Sequence, residues 1–158
     1  MKTIRLIATL ICLIFGAGCC NRGPFNFHFQ LIGETFSYDS RNQHYARAYA
    51  RGDSSIKLTL TSQELRSIFE YVRQVDFLDF PKEFGCTPTS DRRLPAFGTT
   101  IKLGYDFRYN EVSNSDFCSE KVAQKRSDQF DDLVARILQI LNSKEQIKNL
   151  KDSDLIFM

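Results

Sequence analysis

The sequence predicts an α+β domain: a mainly antiparallel sheet of about five or six strands with two helices packed on one face. Three observations carry this expectation. Apolar and polar residues alternate over residues 25–31 and again over 99–105, the period of a strand with one wet face. Residues 65–72 and 130–141 place apolar side chains at helical spacing instead. The resulting order of strands, helix, strands, helix fits a sheet covered on one side.

In the first strand, Phe25, Phe27, Phe29 and Leu31 share a face and Asn26, His28 and Gln30 share the other. Phe36 and Tyr38 continue the alternation, and Asp39, Ser40, Arg41 and Asn42 read as a turn. Over residues 44–51 the faces divide unusually. Tyr45, Arg47, Tyr49 and Arg51 fall on one side, while His44, Ala46, Ala48 and Ala50 fall on the other. The small-residue side lets a helix approach. The Tyr/Arg side is the candidate binding surface, because tyrosine offers flat contact area and arginine a forked donor for carboxylate or phosphate. The same side chains also fit a simple stack along a solvated sheet.

Gly52 and Asp53 mark a hairpin turn, after which Ile56, Leu58 and Leu60 point inward. Thr61 and Glu64 form a capping-box pattern ahead of Leu65, Ile68, Phe69 and Val72, which predicts a helix to about Val75. Pro81 ends this region. Asp76 and Asp79 could be imagined as an acid–base pair, but their setting reads as a helix exit. Residues 82–98 form a long irregular loop with Gly85, Pro88, Pro95 and Gly98, a second candidate binding element. Thr99, Ile101, Leu103 and Tyr105 make the next strand, and Phe107, Tyr109 and Glu111 or Val112 are expected in its return partner. Ser127 or Asp128 is the expected cap of the longest helix, with Phe130, Leu133, Val134, Ile137, Leu138 and Leu141 as its core stripe. Beyond Lys144, another helical turn with Leu155, Ile156 and Phe157 docking, or a frayed end, fits the pattern.

The 158-residue length suits one core, and a 42% hydrophobic composition argues against wholesale disorder. Without the first eighteen residues, 19 basic and 19 acidic residues remain, so the rest is formally neutral. That balance argues against a nucleic-acid partner.

Those eighteen residues read as an export signal: Lys2 and Arg5, an apolar stretch from Leu6 to Phe15 broken only by Thr9, then Gly16, Ala17 and Gly18. The apolar stretch is shorter than the roughly 20 residues a membrane-spanning helix needs. Gly16-Ala17-Gly18-Cys19 resembles the lipobox of bacterial lipoproteins, with Gly16 where that family favours leucine. The resemblance implies a signal peptide at 1–18 and a lipidated linker at 19–24, and the length and periodicity read above leave one domain at 25–158. It further implies cleavage after Gly18, a diacylglyceryl thioether on Cys19 and a stable membrane anchor. The domain would then sit in the cell envelope, in the periplasm or on the cell surface. Ordinary secretion with Cys19 as a free thiol, and an uncleaved anchor, stand beside this reading. The pieces Y-D-S at 38–40, L-T-S-Q-E-L at 60–65 and D-F-P at 79–81 resemble small uncharacterised exported domains of bacteria, which implies no activity.

In an oxidising compartment, Cys86 and Cys118 are a candidate disulfide; two free thiols or, with His28 and His44, a metal site are the alternatives. The sequence contains no phosphate-binding loop, nucleophile elbow or H-E-x-x-H motif. It therefore predicts no cofactor beyond the lipid and no catalytic residues. The expectation is a non-enzymatic binding or envelope-structural module. Its possible partners are an envelope protein or an acidic ligand, met by the Tyr/Arg face and the 82–98 loop. A secreted inhibitor or ligand-binding module using the same surfaces is the alternative.

Overall fold

A computed structural model of the chain describes residues 26–92 and 96–155. Strands β1 (His28–Ile32), β2 (Phe36–Asp39), β3 (His44–Arg47) and β4 (Ser54–Lys57) form a meander. Helix α1 (Ser62–Gln74) follows and ends in a 3-10 turn at Phe77–Asp79. Strands β5 (Gly98–Tyr105) and β6 (Arg108–Ser115) make a hairpin, and α2 (Gln124–Asn142) and the short α3 (Glu145–Lys148) complete the fold. The six strands form one sheet in the order β4-β3-β2-β1-β5-β6, with every neighbouring pair antiparallel. The predicted α+β class is therefore the observed one.

The sheet has one dry face because its register lines up the apolar positions. Leu31 lies opposite both Tyr38 and Ile101, Tyr38 opposite Tyr45, and Ile101 opposite Val112. Directly paired residues point the same way. Phe29, Leu31, Tyr38, Tyr45, Ile101, Leu103 and Val112 accordingly join one core cluster with Ile68 and Val72 of α1 and Phe130, Leu133, Ile137 and Leu141 of α2. Both helices thus cover the same face, as predicted. His28, Gln30, Thr100, Lys102, Glu111 and Ser113 occupy the other.

Three sequence expectations are corrected. Strand β3 stops at Arg47, short of residue 51, and its orientation is the reverse of the one expected. Tyr45 is only 4% exposed and faces the helices, while His44 and Ala46 lie on the open face. Burying the larger ring removes more apolar area from water than burying alanine methyl groups, and the Tyr38 pairing enforces it. The return strand β6 does hold Tyr109, Glu111 and Val112, but it begins at Arg108 and so leaves out Phe107, and its inward residues are Asn110, Val112 and Asn114. Phe107 sits in the turn, and Tyr109 is exposed. Helix α2 begins at Gln124 instead of being capped by Ser127 or Asp128. Ser127 is drawn inward, where its hydroxyl oxygen accepts from Asn114 Nδ2 at 3.0 Å. The Gln124 side-chain oxygen takes over at the entry, accepting from the Lys121 amide at 2.9 Å.

The start of α1 follows its sequence signal. The Glu64 amide donates to Thr61 Oγ1 at 3.2 Å, and the Thr61 amide donates to Glu64 Oε2 at 2.8 Å. Lys144 Nζ reaches the same carboxylate at 2.7 Å, tying the entry of α1 to the exit of α2. At the other end of α1, buried Asn110 brackets the 3-10 turn by donating to the Phe77 and Phe80 carbonyls at 3.2 and 3.0 Å. Asp79 pairs with Arg108 at 2.9 Å rather than with Asp76.

The β5–β6 turn places two non-glycine residues, Asp106 and Phe107, at positive φ of 48° and 62°. Such two-residue turns favour Asn-Gly, because a side chain at positive φ costs roughly 1–2 kcal/mol. The Phe107 ring is fully exposed, so core packing does not repay that strain. Replacing Asp106 by Asn and Phe107 by Gly together is expected to raise unfolding free energy by about 1 kcal/mol in urea denaturation.

Tyr38, buried at the centre, donates its hydroxyl to the Leu58 carbonyl at 3.1 Å. Burial, followed by the charges of Asp39 and Glu64, pushes its pKa up to about 12 from 10.0. The folded protein therefore keeps this proton where the unfolded chain loses it. The tyrosine's contribution is whole below pH 10 and should fall by about 1.4 kcal/mol per pH unit toward 12. Denaturant titrations across that window should show this loss in the parent protein and a clearly smaller one in Tyr38→Phe, the remainder coming from Tyr71, Tyr105 and Tyr109, which burial also raises.

Candidate functional site

A cleft of about 640 Å³ opens where four segments meet. The β1–β2 turn supplies Glu34 and Phe36, and the start of β5 supplies Gly98. The end of β6 and the segment after it supply Asn114, Asp116 and Lys121, and the first turns of α2 supply Ser127 and Asp131.

These segments are held by covalent and hydrogen-bonded clips. Cys86 and Cys118 form a disulfide with Cα atoms 5.7 Å apart, as the sequence led one to expect. Around it the two loops zip together. The Thr87 amide donates to the Glu120 carbonyl at 3.0 Å, Val122 to Gly85 at 2.9 Å, and Ser119 to Asp91 at 3.1 Å. On the opposite wall the Gly98 amide donates to Glu34 Oε1 at 2.8 Å, and the Phe97 amide to Asp116 Oδ1 at 2.6 Å.

Lys121 lies on the cleft floor, 9% exposed. Its ammonium donates to Asn114 Oδ1 and to the Ser115 carbonyl. Asn114 then passes the chain of contacts onward, donating to Ser127 Oγ at 3.0 Å and to Asp131 Oδ1 at 2.8 Å. Burial holds the Lys121 ammonium below the usual lysine range, against the pull of Asp131 and Asp116. Loss of water raises Asp131 above the usual carboxylate range, against the opposing effects of Asn114 and Lys121. The site thus holds charged groups where water is restricted and orients them through one asparagine. Asn114 stands between Lys121 and Ser127, so the arrangement organises charge and hydrogen-bonding capacity rather than a nucleophile–base contact.

The sequence-predicted surface is arranged differently. Tyr45 is in the core, and its hydroxyl accepts from Arg47 Nη2 at 3.1 Å. Arg47 Nη1 and the Tyr49 hydroxyl both donate to the Lys151 carbonyl at 2.7 Å. Ser153 donates to the Ala48 carbonyl at 2.7 Å, and the Ala50 amide donates to Asp154 at the same distance. The segment after α3 therefore lies over this side, and of the four residues only Arg51 remains exposed without joining them. The end of the 82–98 loop reaches the same end of the sheet, but the β1–β2 turn stands between it and Arg47. Cys19 lies outside the described residues, as do Ile156 and Phe157.

Sequence reasoning passed over Lys121, Asn114 and Asp131. A usable signal was present: with Val112 facing the core, alternation puts Asn110 and Asn114 on the same dry face. Asparagines there must find buried partners, and Lys82, Lys121, Ser127 and Asp131 are those partners.

No protein-family model matches the sequence, and no curated protein matches it significantly.

Because the disulfide closes a 32-residue separation, replacing both cysteines by serine should lower stability by about 3 to 4 kcal/mol in urea denaturation. Hydrogen exchange should accelerate first at the Thr87 and Val122 amides, which zip the clipped loops. Unchanged exchange there would mean that the cleft wall does not depend on the bond.

Proposed function

We propose that the protein is an exported lipoprotein anchored through Cys19, and that its domain is a non-enzymatic binding module whose ligand site is the cleft above Lys121. The observation that carries the binding reading is the cleft itself: a clipped cavity with an oriented, water-poor polar floor. Pre-organised concavities with a few fixed polar groups are the usual form of a ligand site. The anchor reading is supported by the lipobox resemblance. A disulfide is also at home in the oxidising compartment that export implies.

The charge of the cleft indicates the ligand. Glu34, Asp116 and Asp131 face a single ammonium, Lys121, so the lining is negative on balance. Phe36 adds an apolar wall along which a lysine or arginine stem can lie. A basic segment of an envelope protein fits this chemistry better than the acidic ligand expected from the Tyr/Arg face, whose Arg47 already engages the segment after α3.

Calorimetric titration with a Lys/Arg-rich peptide and an Asp/Glu-rich peptide tests the reading. The basic peptide should bind, salt should weaken it, and Asp131→Asn should reduce affinity about tenfold, or 1.4 kcal/mol. Binding of neither peptide, preference for the acidic one, or an unaffected Asp131→Asn variant would overturn the cleft reading. The anchor is tested separately by intact mass of protein purified from membranes. An acylated chain beginning at Cys19 is expected, and an unmodified soluble chain would defeat it.

A further inference from the structure

We infer that the β5–β6 turn, with Phe107 at its tip, is a second membrane contact that dips into the bilayer holding the Cys19 anchor. The inference rests on the anchor reading above and adds an orientation to it. Three observations converge on this turn.

The first is the exposed ring. Phe107 is fully exposed, and Tyr109, two residues on, is 56% exposed. The second is the backbone. Phe107 holds a φ of 62° that a glycine would adopt without strain, and no packed neighbour compensates, so the ring is displayed rather than buried.

The third is position. His28 pairs with Gly104, so the beginning of β1 lies beside the end of β5. Asn26 is fastened to the turn itself, its side-chain oxygen accepting from the Asp106 amide at 3.2 Å, and its carbonyl contacts His28 Nδ1 at 2.8 Å. The chain coming from Cys19 therefore arrives at the Phe107 turn. Seven peptide links separate Cys19 from Asn26, a reach of at most about 25 Å. An acylated Cys19 would hold this end of the sheet close to the bilayer.

The surrounding charges fit an interfacial depth. Arg41 lies against the His28 ring at 2.9 Å, and Arg108 pairs with Asp79 at 2.9 Å. Arg73, Asp76 and Asp106 also act on Tyr105 at this end, so the three arginines are matched by Asp76, Asp79 and Asp106 and the patch carries no large positive excess. Attraction to the bilayer would come from the aromatic rings, with arginine stems extending toward headgroups. A zwitterionic membrane should therefore suffice. The cleft around Lys121 is at the opposite end of β5 and β6, which would direct it away from the bilayer.

The chain contains no tryptophan, so Phe107→Trp installs a single indole at the tip, excited at a wavelength the six tyrosines do not absorb. Val122→Trp, at a 73% exposed position beside the cleft, reports the other end. Each full-length variant would be produced with its leader, purified from membranes, checked by intact mass and reconstituted in phosphatidylcholine vesicles with brominated acyl chains. Acylated protein should show blue-shifted emission, quenched several-fold, at the Phe107→Trp position and water-like, unquenched emission at Val122→Trp. Acylated protein with equally unquenched emission at both positions would overturn the membrane contact while leaving the anchor intact. A chain without acyl mass would defeat the anchor reading and this inference with it. A blue shift that appears without vesicles and grows with protein concentration would assign the tip to contact between copies and overturn the inference.

Discussion

The fold depends on the register of one strand. β1 lies between β2 and β5, so within the sheet the meander built from the first half and the hairpin built later in the chain are paired through it. Phe29 and Leu31, both fully buried, set that register. Leu31 aligns Tyr38 on one side and Ile101 on the other, and those pairings carry the dry face outward to Tyr45 and Val112. A slip of one residue would turn both β1 side chains to water and detach the sheet from both helices.

The same strand runs between two unlike ends of the molecule. Its first residue leads to the Asp106–Phe107 turn, and its last leads through Gly33 and Glu34 to the cleft. The turn presents an apolar ring in strained backbone. The cleft holds a lysine whose charge burial disfavours. Local rules would favour glycine at one position and an apolar residue at the other. Departures of this kind concentrate where a surface has work beyond folding. Their placement at opposite ends of β5 and β6 gives the domain an axis, from the segment leading back to Cys19 toward the disulfide.

Lys121 is tolerable because its neighbours are fixed. A buried ammonium without partners costs several kcal/mol, whereas here Asn114, the Ser115 carbonyl and the nearby carboxylates satisfy or balance it. Asn114 can serve all of them because it occupies a rigid strand. The Cys86–Cys118 bond and the paired loops prevent Lys121 from withdrawing to solvent. Stability and site geometry therefore rest on the same clip.

Much of the architecture was legible in the sequence. Alternation identified the strands, helical spacing and the Thr61–Glu64 box identified α1, and the Phe130–Leu141 stripe identified the long helix. These signals are local, arising from backbone period and from caps that satisfy their own first turn. The sequence also narrowed Cys86 and Cys118 to a candidate pair. It could not orient β3, because either alternating set of residues 44–51 can face inward until Tyr38 is set opposite Tyr45. Nor could it foresee that the segment after α3 would engage Arg47 and Tyr49, or that Asn114, Lys121 and Asp131 would converge. Those outcomes depend on long-range register and loop closure, which bring distant residues within hydrogen-bonding reach only after the sheet and helices have packed.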